Sequence, residues 1–329
     1  MLPHYYSLNE YLADRFGHKI YKLALNGGMS CPNRDGLIDT RGCIFCSAGG
    51  SGDFAADRLT NENHSPACTS ISQQLKAAKQ LLQNKYKGHS YIAYFQSFTN
   101  TYAPVSYLRR IFTEALQDPE VEILSIATRP DCITAEIAAL IAELSTIKPV
   151  WVELGLQTIH PSTAAYIRRG YSLDIFEQAV ALLDCDQIIT HMILGLPKET
   201  PEDMYATARY IAGNPRLKGI KLQLLHVLRG TDLAADYTNG FFQTLTQKEY
   251  FEIISHILPL LPPDMVIHRI TGDGPKSLLI APLWSTDKKN VLNCMTKHLR
   301  ENNICQGSLF APSPNHDFVS SDYTETEKS

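Results

Sequence analysis

Between residues 19 and 271, short apolar runs rich in β-branched residues alternate with amphipathic stretches, and this alternation limits the fold more than any other feature. The runs 19–26, 90–95, 121–128, 150–157, 187–195 and 219–228 have the length and composition of strands and are bounded by turn formers. Helical periods fall between them at 70–84, 104–117, 133–144, 173–184 and 201–212, with starting signals such as "TPEDM" at Thr200. A strand that returns parallel to its predecessor needs a helical crossover. Six such units predict an α/β fold, a partial (β/α)6 barrel of TIM type, with a doubly wound sheet as the rival. A barrel keeps its chemistry on the loops after the C-terminal ends of its strands.

After residue 228 the pattern changes to a helix (246–258), a last strand in "MVIHRITG" and a final helix (287–300). Residues 1–230 therefore read as the core barrel and 231–305 as a C-terminal extension packed on it. Residues 306–329 hold four acidic residues, one lysine and no period, the pattern of a disordered acidic tail. Without that tail the chain is nearly neutral, so a nucleic-acid partner would need a local basic patch. No apolar run approaches a membrane span and the first residues lack the pattern of a signal peptide, so a cytoplasmic protein without membrane contact is expected.

In that compartment clustered thiols point to metal or redox chemistry. Of the eight cysteines, Cys31, Cys43 and Cys46 fall within sixteen residues, "CPNRDGLIDTRGCIFC", on the loop after the first strand. That is where a barrel keeps its active site. A zinc site completed by His64 or Cys68 is one reading, although no second close ligand pair exists. Three thiolates on a 4Fe-4S cluster are the other: three irons are held and the fourth keeps an open position for a small molecule. That is the design of radical S-adenosylmethionine (SAM) enzymes, and Phe45 stands beside Cys46 where they place an aromatic residue near the adenine.

Further motifs fall at successive strand ends: "FQSFTNTYAP" (95–104), "TRPD" (128–131), "ELGLQ" (153–157) with Arg169 twelve residues beyond Gln157, and "HMILGLPKET" (191–200). In that order they resemble the radical SAM domain of the catalytic subunit of Elongator and its oxygen-independent coproporphyrinogen oxidase-like relatives. "CPNRDG", "GCIFC", "LGLQT" and the late "HRITGDGP…APLWS" extend the resemblance over nearly the whole chain to the bacterial YhcC/YtqA-type radical SAM family. Two departures stand out. The gap between the first two cysteines is eleven residues, not the three common in the superfamily, and the chain has no room for Elongator's acetyltransferase half.

The resemblance implies roles residue by residue. Cys31, Cys43 and Cys46 would hold the 4Fe-4S cluster, and Gln96 with Ser97 would lie where the methionine amino group of SAM is met. Gln157 offers donor and acceptor to a ribose diol, and His191 stands at a ribose-ligand position. Arg169 would grip the methionine carboxylate through two bonds. Glu153 alternates to the same side as Gln157 and faces either the barrel interior or an arginine such as Arg129.

The implied activity is reductive cleavage of SAM and hydrogen-atom abstraction, fed by an electron donor of flavodoxin or ferredoxin type. Elongator-type relatives act on the wobble uridine of transfer RNA, so remodelling of a carbon-5 side chain there is the favoured reading, with the enzyme acting as a monomer. Lys76, Lys79, Lys85, Lys87, Arg168, Arg169, Arg216, Lys218 and Lys221 are candidates for basic patches. Tyr94, Phe95, Phe98 and Tyr102 are candidates for stacking an extruded base. A radical SAM enzyme acting on a small metabolite or protein side chain, and a non-catalytic zinc-stabilised RNA-binding module, are the alternatives.

Overall fold

The computed structural model describes residues 4–50, 70–83, 86–272 and 274–311. The six expected strands form: β1 (Tyr21–Leu25), β2 (Tyr91–Phe95), β3 (Val121–Thr128), β4 (Val150–Gln157), β5 (Gln187–Leu194) and β6 (Leu217–Leu224). After β6 come the short β7 (Val227–Leu228), then β8 (Val266–Arg269) and β9 (Leu279–Ala281). The main sheet runs β1-β2-β3-β4-β5-β6-β8, with every neighbouring pair parallel, and it curls into a half-barrel. β8 lies in the segment read as an extension packed on the barrel, yet it supplies the seventh strand. β7 and β9 form a separate antiparallel pair.

Ten α-helices are described: α1 (Leu8–Phe16), α2 (Ile71–Leu82), α3 (Val105–Gln117), α4 (Ala135–Ser145), α5 (Pro161–Tyr166), α6 (Leu173–Leu182), α7 (Pro201–Gly213), α8 (Asp232–Thr238), α9 (Gln247–Leu260) and α10 (Lys288–Glu301); α2, α3, α4, α6, α7 and α9 bury apolar side chains against the outer face of the sheet. Their starts are set locally. Ser7 with Glu10, Ser70 with Gln73, Thr200 with Asp203 and Thr246 with Glu249 close reciprocal capping boxes, each satisfying two backbone donors that a helix start leaves free.

Alternation along the strands sorts side chains to two faces. Outward residues such as Phe95, Leu124, Val152 and Leu154 bury themselves under the helices. Inward residues stack in layers. The layer nearest the strand starts is apolar (Ile92, Ile123, Trp151, Ile189), and α1 closes it with Leu12 and with Tyr11, whose ring meets Trp151 edge-on at 5.9 Å. At the opposite mouth a second apolar group gathers Ile44, Ile167, Ile193, Leu225 and Leu233.

Residues 306–311 do not behave as a free tail. Gln306 accepts from Tyr6 N–H at 2.8 Å and donates to Pro262 O and Met265 O, and Leu309 N–H donates to Pro259 O. The rest of the tail expectation, from residue 312, lies outside the described residues. Among the described residues no helix is long and apolar enough to cross a membrane.

The outer core generates a stability prediction. Phe112 is fully buried and its ring meets Phe95 edge-on at 4.9 Å. Phe112→Ala should cost about 3–5 kcal/mol, read as a lower urea midpoint with an unchanged slope.

Candidate active site

The cysteine loop leaves β1 and folds back on itself. Arg34 N–H donates to Cys31 O at 2.7 Å, Ile38 N–H to Pro32 O at 2.8 Å, and Gly42 N–H to Asn33 O at 2.7 Å. The last bond returns the chain to its own start, so the eleven-residue gap is a folded excursion that brings Cys43 alongside residue 33. A turn closed by Cys46 N–H to Cys43 O at 3.0 Å then places the third thiol. Asn33, almost fully buried, donates to Arg168 O at 2.7 Å and approaches Cys43 Sγ at 3.4 Å, which ties the loop to the segment after β4. Gly42 has φ +79°, and a Cβ there would lie 2.8 Å from Arg34 Nε, so both conformation and space select glycine.

Cys31, Cys43 and Cys46 line one cavity at the mouth of the half-barrel. Hydrogen bonding from Cys46 lowers the Cys43 thiol to about 6 against the opposing effect of burial, and Arg129, Asn33 and Arg34 reinforce the shift. Among the described residues, no three His, Cys, Asp or Glu side chains converge closely enough to share one ion. Thiolates that each bind a different iron of a cubane need no such convergence. Three thiols on one wall, with guanidinium groups nearby to offset thiolate charge, suit a cluster better than a single ion. His64 and Cys68, the candidates for a fourth zinc ligand, lie outside the described residues.

Beneath the cysteines the inward layer is polar. Glu153 is completely buried and accepts from Tyr94 Oη at 2.9 Å, Ser125 Oγ at 3.2 Å, His191 Nε2 at 2.9 Å, Lys22 Nζ at 3.3 Å and, closest of all, Lys221 Nζ. Burial alone would raise this carboxyl, but Lys221 and Lys22 hold it well below the ordinary range. Arg129, the partner considered from sequence, pairs instead with Asp131 through two bonds of 2.9 and 2.7 Å. His191 is pulled down to about 4, first by burial and then by Lys221. The neutral ring therefore donates from Nε2 to Glu153 and accepts at Nδ1 from Gln223 Nε2 at 3.3 Å, a tautomer assigned from the network.

The other expected residues divide. Phe45, Gln96, Gln157, Arg169 and His191 line the cysteine cavity, whereas Ser97 does not. Ser97 is fully buried with its Oγ unpartnered among the described residues, and Phe98 and Thr99 take the wall in its place. Asn100 and Thr101 knit this loop to β3, through Asn100 Nδ2 to Ala127 O at 2.8 Å and Thr101 Oγ1 to Thr128 Oγ1 at 2.6 Å. Gln157 sits at φ +62° and Phe98 at φ +58°, a region that non-glycine side chains avoid and that recurs at functional sites. Arg169 is 3% exposed and donates to the carbonyls of Leu156, Thr158 and Tyr171, which occupies four of its five N–H groups. A two-point grip on a carboxylate would break that clasp. The bond-making side chains that sequence reasoning missed include Lys22, Asn33, Arg34, Ser125, Tyr171 and Gln223. Their signal is slight: Asn33 and Arg34 lie inside "CPNRDG", while Lys22 is an isolated charge in an apolar strand.

The Radical SAM superfamily model matches residues 40–211, and the Radical_SAM C-terminal domain model matches residues 217–301. The chain belongs to the radical SAM superfamily. Among curated proteins this radical SAM protein is similar to YtqA of Bacillus subtilis, 42% identical over 93% of this chain and 92% of that one. It is similar also to YhcC of Escherichia coli K12, 33% identical over 92% and 94%. The solved structure of Methanocaldococcus infernus Elp3 with its N-terminus (1–46) deleted matches with a TM-score of 0.62 at 17% identity. That match covers 87% of this chain and 64% of that one, and at such identity it speaks for the fold alone. The radical SAM cofactors are a 4Fe-4S cluster and SAM. Cys31 precedes the segment matched by the superfamily model, so its place among the ligands rests on the shared cavity.

The depressed His191 generates a pH prediction. Unfolded, it titrates near 6.5, and folded, near 4, so between these values the unfolded chain binds a proton that the folded chain lacks. Stability should therefore fall as pH drops from about 6.5 towards 4, by up to about 1.4 kcal/mol per pH unit for this group. His191→Gln should remove about one proton from the uptake on unfolding, measured from urea midpoints across that window; an unaltered pH slope would contradict the assignment.

Proposed function

We propose that this enzyme generates a 5′-deoxyadenosyl radical and uses it to remodel the carbon-5 side chain of a transfer-RNA wobble uridine. The observation that carries the radical centre is the single cavity shared by three cysteines, Phe45 and polar groups from the strand ends. Bound there, the cluster and SAM, with one electron from a flavodoxin- or ferredoxin-type donor, supply hydrogen-atom abstraction. The chain's own residues then act in defined ways. Cys31, Cys43 and Cys46 would hold the cluster through their thiolates. Phe45 would pack beside the adenine, and the two backbone bonds of the preceding Ile44 (Ile44 N–H to Ile167 O at 3.2 Å, Leu233 N–H to Ile44 O at 3.1 Å) fix its place. Gln96 faces the methionine amino group and Gln157 the ribose. His191, with both ring nitrogens engaged, orients Gln223 towards the cofactor.

Support for the wobble uridine comes from the Elongator-type motifs, and the structure revises the surface that would meet RNA. Lys221 is buried against Glu153, and Arg216 donates to Val180 O and Leu183 O. Lys79 pairs with Asp118 and Glu120, and Arg168 with Asp232. Tyr94 and Phe95 are buried, and Lys85 lies outside the described residues. Phe98 at the cavity wall and the partly buried Tyr102 are the stacking groups that remain. Lys76, Lys87 and Lys218 remain exposed, and the engagement of the other candidates favours a second reading, a small metabolite or protein side chain as substrate.

Mass spectrometry of transfer-RNA nucleosides from an anaerobically grown deletion strain separates the two. A carbon-5 change in wobble uridine should appear, be reversed by the wild-type gene and persist with Cys43→Ala. Unchanged nucleosides beside altered metabolites would transfer the enzyme to the small-substrate class.

A further inference from the structure

The basic side chains of the cysteine cavity are Arg34, Arg129, Arg169, Lys221 and Arg269, against one carboxylate, Glu153. Four of the five are engaged. Arg34 donates to Cys46 O at 3.1 Å and Ser47 O at 2.6 Å, Arg129 to Asp131, Arg169 to three carbonyls, and Lys221 to Glu153. Arg269 is different. It ends β8, stands beside Lys221 in the sheet register, is partly buried, and forms no hydrogen bond or ion pair among the described residues. A guanidinium stays charged at any physiological pH, and withdrawing it from water without an anion is costly.

Arg269 also lines a second cavity that shares Phe45, Cys46, Gln96 and Gln223 with the first and extends under the C-terminal segment. The described lining of that cavity contains no carboxylate. His226 forms part of its wall, held by Ser285 Oγ at 3.0 Å. The chain after β8 presses against the imidazole: a Cβ on Gly272 would lie 2.3 Å from His226 Cε1, and one on Gly274 would lie 3.2 Å from Nδ1. The described residues of this late segment thus build a wall with the Arg269 guanidinium at its edge, where the two cavities meet.

We propose that Arg269 anchors an oxyanion of the substrate, a carboxylate or a phosphate, in this second cavity. The fork of a guanidinium suits both groups through two parallel bonds. The proposal rests on reading the neighbouring cavity as the radical centre, since that is what makes the second cavity a substrate site. Glu153 does not compete for Arg269, because Lys22 and Lys221 already meet it.

The test is labelling of the full-length, cluster-loaded protein with phenylglyoxal, with Arg269 followed by peptide mass spectrometry. Arg269 should react, and inorganic phosphate or acetate, tested separately, should slow its labelling roughly tenfold at about ten times the dissociation constant. Stronger protection by phosphate identifies a phosphate source, and stronger protection by acetate a carboxylate. Failure to label Arg269, or labelling that neither anion slows, would overturn the proposal. So would protection by SAM alone, which would give the guanidinium to the cofactor. By calorimetry, the protective anion should bind Arg269→Gln at least about tenfold more weakly, with folding checked by circular dichroism, and unchanged binding would also overturn it. Labelling and calorimetry need no turnover, so a protein that fails to cleave SAM while passing both would refute the radical reading alone.

Discussion

Glu153 receives one side chain from each of the other five strands among the first six: Lys22 from β1, Tyr94 from β2, Ser125 from β3, His191 from β5 and Lys221 from β6. A half-barrel lacks the closing strands that would let apolar side chains fill its interior to the mouth. The first inward layer is still apolar, because α1 covers it, but the next faces a cavity. A buried carboxylate is tolerable only when well-placed cations and donors surround it, and removing one partner would leave an uncompensated charge. The network therefore fixes the six strands relative to one another and sets a rigid polar floor under the cysteines.

That floor explains why strain and short contacts collect above it. Gln157, the last residue of β4, and Phe98, Arg168 and Lys198, on segments that follow β2, β4 and β5, take positive φ. Such conformations persist when surrounding contacts over-determine them. Here the determinants are visible: Arg169 gathers the carbonyls of residues 156, 158 and 171, and Tyr171 lies 4.9 Å from each of the Arg129 and Arg169 guanidiniums. The cysteine loop docks on this platform through Asn33, so the metal ligands inherit their positions from the strands below.

Much of this was legible in the sequence because periodicity reports burial directly. β3 and β4 match the apolar runs 121–128 and 150–157 to the residue. α1 was missed although Ser7, Glu10 and Gly17 carry its start and stop signals, since a short N-terminal helix competes with many equally polar coils. β8 was read only as part of the extension, because a four-residue strand bears no mark of which sheet it will join. At the site, spacing found the three thiols, but side-chain partners depend on convergence of distant strands. Lys221, a candidate for a basic patch, meets Glu153 instead, and Arg169, proposed for the methionine carboxylate, meets the carbonyls of residues 156, 158 and 171. The partner of Lys221 lies 68 residues away on β4, a convergence that spacing in the sequence does not reveal.

The central claim is that three cysteines hold a cubane whose fourth iron is open. Mössbauer spectroscopy of protein reconstituted without oxygen, using isotopically enriched iron, tests it directly. About four irons per chain should be present, and about one in four should change its isomer shift when SAM is added. Four equivalent irons that SAM leaves unchanged, or stoichiometric zinc with no cluster, would contradict the account.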